Sequence, residues 1–142
     1  MAPKSELHET TQCLCLASRR AARAITRAFD KELRPHGLRS TQFSLLAILE
    51  LKGPQTIGTL ARMLSADRTT LTRNLALVEE RGLIRIRPGD DARSRVVAIV
   101  PKGREALMRA LPGWRRTQSM LSESFGLETA DNLRRLSREL RV

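Results

Sequence analysis

Tyrosine is absent, and the 142-residue chain has only one Trp, three Phe, two Cys and two His. So few aromatics leave the core to Leu, Ile, Val and Ala. Cys13 and Cys15 are too few to build a disulfide framework. With His8 and His36 they are the whole supply of soft ligands, and their spacing matches no common zinc site. No metal and no cofactor is therefore expected. No nucleophile–base arrangement and no Gly-rich phosphate loop is recognisable, which argues against an enzyme. No run approaches the roughly 20 apolar residues of a membrane span, and the polar N-terminus lacks the apolar stretch of a signal peptide. The expectation is a soluble cytoplasmic protein with no membrane partner.

Acidic side chains are the other minority. Asp and Glu number 15 against 26 Lys and Arg, for a net charge of +11. That excess favours polyanionic partners, nucleic acid or an acidic membrane surface. Residues 39–104 carry 12 basic and 6 acidic side chains, so over half of the surplus sits mid-chain.

What is present is helical periodicity with one interruption. The length fits one domain over 1–142. Leu14, Ala17, Ala21, Ile25, Ala28 and Leu33 recur at three- and four-residue spacing, predicting one helix from Ser5 or Glu6 to Leu33 with a buried stripe. Pro35 and Gly37 stop it. Such a helix is about 42 Å long, too long to bury its face on its own small domain, which suggests a partner subunit. Ser40 is the candidate cap of a second helix, with Phe43, Leu46, Ala47 and Leu49 or Leu51 inward. Gly53-Pro54 ends it. A short third helix from Thr56 buries Ile57, Leu60, Ala61 and Leu64. Asp67 then caps a fourth helix running to Arg81, with Leu71, Leu75 and Val78 inward and Gly82 past its end.

The period then changes. Leu83–Arg87 alternates as a strand, Pro88-Gly89-Asp90-Asp91 is a turn cluster, and Val96–Val100 is a second strand. Pro101 opens a helix that Pro112-Gly113 should break or kink, and a last helix over about Glu128–Leu140 buries Leu133, Leu136 and Leu140. Two short helices and a hairpin over 38–100 make a winged helix-turn-helix in a mainly α chain, with 5–34 and 101–142 as dimerisation helices. On the fourth helix Arg68, Thr69, Thr70, Thr72 and Arg73 face outward, with Asn74 alongside. Arg can grip guanine bidentately, and Thr can bond phosphate or touch a thymine methyl. At the hairpin tip Arg87, Arg93 and Arg95 could reach a narrow minor groove. Asp91 would hold the loop or orient an arginine. Each set could also be an ordinary solvated face, and a non-specific basic architectural protein would carry the same charges.

Several motifs fall in one register: Thr56-Ile57-Gly58-Thr59-Leu60-Ala61, Asp67–Arg73, Leu77-Val78-Glu79-Glu80-Arg81-Gly82-Leu83-Ile84, Asp91-Ala92-Arg93 and Lys102-Gly103, with Leu38–Phe43 upstream. In these the chain resembles the MarR family of bacterial regulators. Val100 departs from that family's usual Thr. The resemblance implies a homodimer interlocked through the first helix and the two helices after the hairpin. It also implies binding to a pseudo-palindromic operator in double-stranded DNA, usually as a repressor released by a small molecule or an oxidant. The recognition helix would be Asp67–Arg81 and the wing arginine Arg93. A small effector would sit between the dimer helices and the winged part, where Phe29, Phe43 and Trp114 could line its pocket or simply be core.

Within that family the N-terminal helix is similar to OhrR-type peroxide sensors, whose reactive cysteine lies at the distance from a later glutamine that separates Cys15 from Gln42. Those sensors hold the thiolate with tyrosines, and Phe29 and Ser40 stand at the corresponding positions here. On a continuous helix Cys13 and Cys15 would face about 200° apart and could not bridge each other. A reactive thiol or a small buried core residue are both open readings.

Overall fold

A computed structural model describes residues 3–140, so the first and last two residues of the 1–142 span lie outside the described residues. Its elements in chain order are α1 (Lys4–Leu7), a 3-10 turn (His8–Gln12), α2 (Leu14–Leu33), a second 3-10 turn (Arg34–His36) and α3 (Ser40–Lys52). There follow β1 (Gln55–Thr56), α4 (Ile57–Met63), α5 (Arg68–Glu80), β2 (Ile84–Pro88), β3 (Arg95–Ile99), α6 (Pro101–Phe125) and α7 (Leu127–Glu139). The three strands form one antiparallel sheet in the order β1-β3-β2, with Ile84 opposite Ile99 and Ile86 opposite Val97. The core joins Leu33, Leu45, Leu46 and Leu49 to Leu60, Leu75, Val78, Val97, Leu107 and Ala110. Thus α2, α3 and α6 pack on the same cluster as the winged part. This is the mainly α architecture with a hairpin wing that the periodicity predicts.

Four expectations are corrected. The N-terminal helix is not continuous: Cys13 is extended (φ −60, ψ 118) and leaves α2 only 20 residues, behind a separate short segment. Its predicted stripe is buried only at Leu33, while Leu14 is 85% exposed. Pro112 does not break α6, which runs on as helix through it. A helical proline removes one hydrogen bond to the carbonyl four residues back, here that of Met108. Met108 is exposed, so water can take that bond, and Gly113 beside it packs so tightly on α2 that a Cβ there would lie 3.1 Å from the Glu32 carbonyl oxygen. Tertiary packing wins over local propensity. Leu133 and Leu136 on α7 and Leu140 just past its end are exposed, and Ala130 alone is buried in α7.

The cap of α3 also shifts by one residue. Arg39 takes the cap position and donates its N–H to the Gln42 Oε1 at 3.1 Å. Ser40 is the first helical residue, and its N–H donates to the Asp30 carboxylate at 2.7 Å, tying α3 to α2. Leu49, rather than the exposed Leu51, completes the inner face.

Candidate nucleic-acid interface

Two caps and one strained residue build the helix-turn-helix. Thr56 accepts from the Thr59 N–H at 3.1 Å and opens α4. At its far end Ser65 N–H donates to the Arg62 carbonyl and Ala66 N–H to the Ala61 carbonyl, a Schellman closure. The residue in the left-handed position is Ser65 (φ 47), where glycine is usual. Asp67 then accepts from Thr70 N–H at 3.0 Å and opens α5, satisfying one of the donors that a helix start leaves free. A second Schellman closure ends α5, with Gly82 at φ 73, Gly82 N–H to the Glu79 carbonyl and Leu83 N–H to the Val78 carbonyl.

With Leu71, Leu75 and Val78 buried, α5 has one free face. Arg68, Thr69, Thr70, Thr72 and Arg73 lie exposed on it, with Asn74 half-buried at its margin. The Thr72 hydroxyl donates to the Arg68 carbonyl at 2.8 Å, and the Thr70 hydroxyl to Asp67 at 3.3 Å. The second lone pairs of both hydroxyls remain available to a donor.

The wing turn is folded by Asp91. Its carboxylate accepts from Arg93 N–H at 3.2 Å and its carbonyl from Ser94 N–H at 2.9 Å. Of the two roles open to Asp91, it takes the loop-holding one. Arg87, Arg93 and Arg95 are exposed around this turn. Among the described residues, none of Arg68, Arg73, Arg87, Arg93 and Arg95 forms a salt bridge; the ion pairs involve Arg104, Arg109, Arg116, Arg134 and Arg135 instead. Among the described residues the arginines of the α5 face and of the wing are thus free of ion pairs.

Contacts invisible to periodicity seat α5 on the rest of the molecule. The Arg81 guanidinium donates to Gln42 Oε1 at 3.4 Å, and Lys102 Nζ donates to the Arg81 carbonyl at 3.0 Å. A cation at that carbonyl also complements the negative end of the helix. Gln42 is only 8% exposed, and its one oxygen serves both the α3 cap and the end of α5. A buried amide in an otherwise apolar helix face was the available signal. Val100, in the place of the expected Thr, makes no side-chain cap, and Pro101 follows it at the first helical position.

The aromatic trio forms one cluster. Trp114 stacks on Phe43 with ring centroids 5.8 Å apart and lies 6.3 Å from Phe29. Phe43 belongs to the buried core, and Phe29 and Trp114 are half-buried against it. Phe29 alone of the three lines a cleft of about 650 Å³ bounded by α2, α3 and α5, with Ile25, Arg39, Thr70, Leu71, Arg73 and Leu77. Cys13 and Cys15 are both exposed in the single chain, beside the exposed Leu14. With Cys13 extended, the opposite-facing geometry of a continuous helix no longer applies to the pair. Among the described residues no helix is long and apolar enough to cross a membrane.

The MarR family model matches residues 38–94, the span from the entry of α3 to the wing turn. The chain is 34% identical over 79 residues to the uncharacterized HTH-type transcriptional regulator YwoH of Bacillus subtilis (strain 168), which covers 56% of this chain and 58% of that one. The match therefore spans little more than half the length of that relative. The fold superimposes on the M. tuberculosis transcriptional regulator MosR, crystallised in complex with DNA, with a TM-score of 0.77 at 40% identity, covering 92% of this chain and 99% of that one. It also superimposes on the transcriptional repressor CouR bound to p-coumaroyl-CoA, with a TM-score of 0.79 at 27% identity, covering 93% and 96%. The chain belongs to the MarR family of transcriptional regulators.

Proposed function

We propose that the protein is a sequence-specific repressor that binds a pseudo-palindromic operator as a homodimer and has no catalytic role. The observation that carries this reading is a set of exposed arginines in no ion pair among the described residues, Arg68 and Arg73 on α5 and Arg87, Arg93 and Arg95 on the wing, on one winged helix-turn-helix. In it α5 lies in the major groove, and the wing reaches the flanking minor groove or backbone. The solved structure of MosR with DNA supports the assignment. A dimer is supported by the exposed apolar side chains of the outer helices, Leu14, Met108, Met120, Leu133 and Leu136. Single exposed apolar side chains are ordinary, but several of them on three helices ask for a partner. The test is an anisotropy titration with duplex from the chain's own promoter region. Much tighter binding than to random duplex at physiological salt is expected; equal affinity would point to a non-specific architectural protein instead.

Release by a small molecule is the control mode the cleft supports. Its walls are apolar at Ile25, Phe29, Leu71 and Leu77 and cationic at Arg39 and Arg73, a lining suited to an aromatic or aliphatic acid. Arg73 and Thr70 are shared between cleft and reading face, so an occupant withdraws them from DNA. That CouR binds p-coumaroyl-CoA agrees with a small-molecule mode. The exposure of both thiols, with Cys13 outside the helix, favours a second reading in which an organic hydroperoxide oxidises Cys15 and ends DNA binding. Dithiothreitol then restores binding. An unchanged response in Cys15→Ser dimers removes that reading.

A further inference from the structure

The strand β2 is the outer strand of the sheet, so alternate backbone N–H groups along it have no strand partner. One of these is the N–H of Ile86, which lies opposite Val97 and donates outward, to the Glu79 Oε2 at 2.6 Å. Glu79 sits in the last turn of α5. Among the described residues this is the one side-chain hydrogen bond between α5 and the wing. From it we propose that Glu79 is a positioning residue that sets the angle of the wing to α5, so that the two parts engage DNA as one unit. The inference rests on the DNA-reading role proposed above.

The place of this bond along the hairpin gives it leverage. At the root the wing is held by packing, because Ile84, Val97 and Ile99 are buried, and by the Leu83 N–H bonded to the Val78 carbonyl. That root bond closes the end of α5 and says little about the direction of the strand beyond it. Ile86 is the last β2 residue packed against the core; Arg87, Pro88 and the turn to Arg93 are exposed. Pivoted at the buried Ile84, a swing of about 10° carries Ile86, about 7 Å out at the usual rise per strand residue, by about 1 Å, and the tip, about 20 Å out, by about 3–4 Å. A hydrogen bond tolerates a few tenths of an ångström. The bond from Glu79 therefore restrains the one freedom that matters to Arg93.

Stability alone does not ask for this contact. Glu79 and the outer edge of β2 are solvent-accessible, and water could satisfy the Ile86 N–H. A carboxylate near a polyanion also works against binding, so removing its charge alone strengthens association. The Glu79→Gln variant removes the charge but keeps an acceptor oxygen; Glu79→Ala removes both. Comparing the two isolates the bond.

The experiment is a double-mutant cycle on the duplex that the parent chain itself enriches from a randomised pool. In the parent, Arg93→Ala is expected to weaken binding about tenfold. In the Glu79→Ala background the same change costs about twofold or less, because the wing no longer presents Arg93 in place. With Glu79→Gln the tenfold cost returns. Amide hydrogen exchange at Ile86 rises in Glu79→Ala and not in Glu79→Gln, with thermal midpoints unchanged in both. An equal cost of Arg93→Ala in all three backgrounds overturns the proposal, as does an unaltered Ile86 exchange rate. A parent chain that enriches no sequence, or that is indifferent to Arg93→Ala, instead refutes the DNA-reading role, and this inference falls with it.

Discussion

Replacing Gly103 by alanine puts a methyl carbon where the protein has no room for one. A Cβ on Gly103 would lie 2.1 Å from the carbonyl oxygen of Leu83, 3.0 Å from its carbonyl carbon and 2.9 Å from Ile99 Cγ1. Ordinary contacts need more than about 3.3 Å, so the start of α6 and the root of the wing must part by about 1 Å. Two of the three obstructing atoms are backbone, and the Leu83 carbonyl is already engaged with the Val100 N–H. No side-chain rotation relieves the clash. Overpacking of this kind costs about 1–3 kcal/mol. For a chain of this size each kcal/mol moves the thermal midpoint by roughly 3 °C, so a fall of about 3–10 °C is expected. The assay is a circular-dichroism melt at fixed protein concentration, since the midpoint of the proposed dimer would depend on concentration. Gly58→Ala is the control: nothing lies within 4 Å of its added carbon, inside α4, and alanine is the better helix former by up to about 1 kcal/mol. A Gly103→Ala midpoint within about 1 °C of the parent would refute the packing argument.

Three further outcomes are expected. Ser65→Gly relieves the left-handed strain at the turn between α4 and α5 and raises stability by about 0.5–1 kcal/mol, read in the same melt. Asp67→Ala loses the cap on α5 and lowers stability by about 1 kcal/mol, while Asp67→Ser retains most of it. If Arg93 meets only phosphate, Arg93→Ala lowers the salt slope of DNA binding by about 0.9 per wing; an unchanged slope with relaxed sequence preference would instead place it on a base edge.

The parts of the fold legible in the sequence are those where one signal suffices. Leu71, Leu75 and Val78 at helical spacing between Asp67 and Gly82 define α5, and the alternation of Leu83–Arg87 defines β2, the strand that follows it. Two-residue β1 has no period to read; it exists because Gln55 and Thr56 lie beside Val97 and Val96. The leucines of α7 and Leu14 of α2 show the other gap. Periodicity identifies an apolar face but not what covers it, and within one chain these faces are open. At Pro112 the local rule was outweighed by packing against α2, which appears only once both helices are in place. The candidate interface was legible as a set of arginines. The bonds that seat it, Gln42 to Arg81, Lys102 to the Arg81 carbonyl and Ile86 to Glu79, join residues from 7 to 39 positions apart and carry no local pattern.

The stacking of Trp114 on Phe43 and its tilt toward Phe29 bring one ring from each of α2, α3 and α6 to a single joint. Because the chain has one tryptophan and no tyrosine, its emission on excitation beyond the phenylalanine absorption comes from that joint. Movement of the outer helices against the winged part changes the surroundings of this one indole and of no other emitter. The protein thus carries its own optical gauge of the coupling between its helical frame and its reading head, needing no label and no substitution.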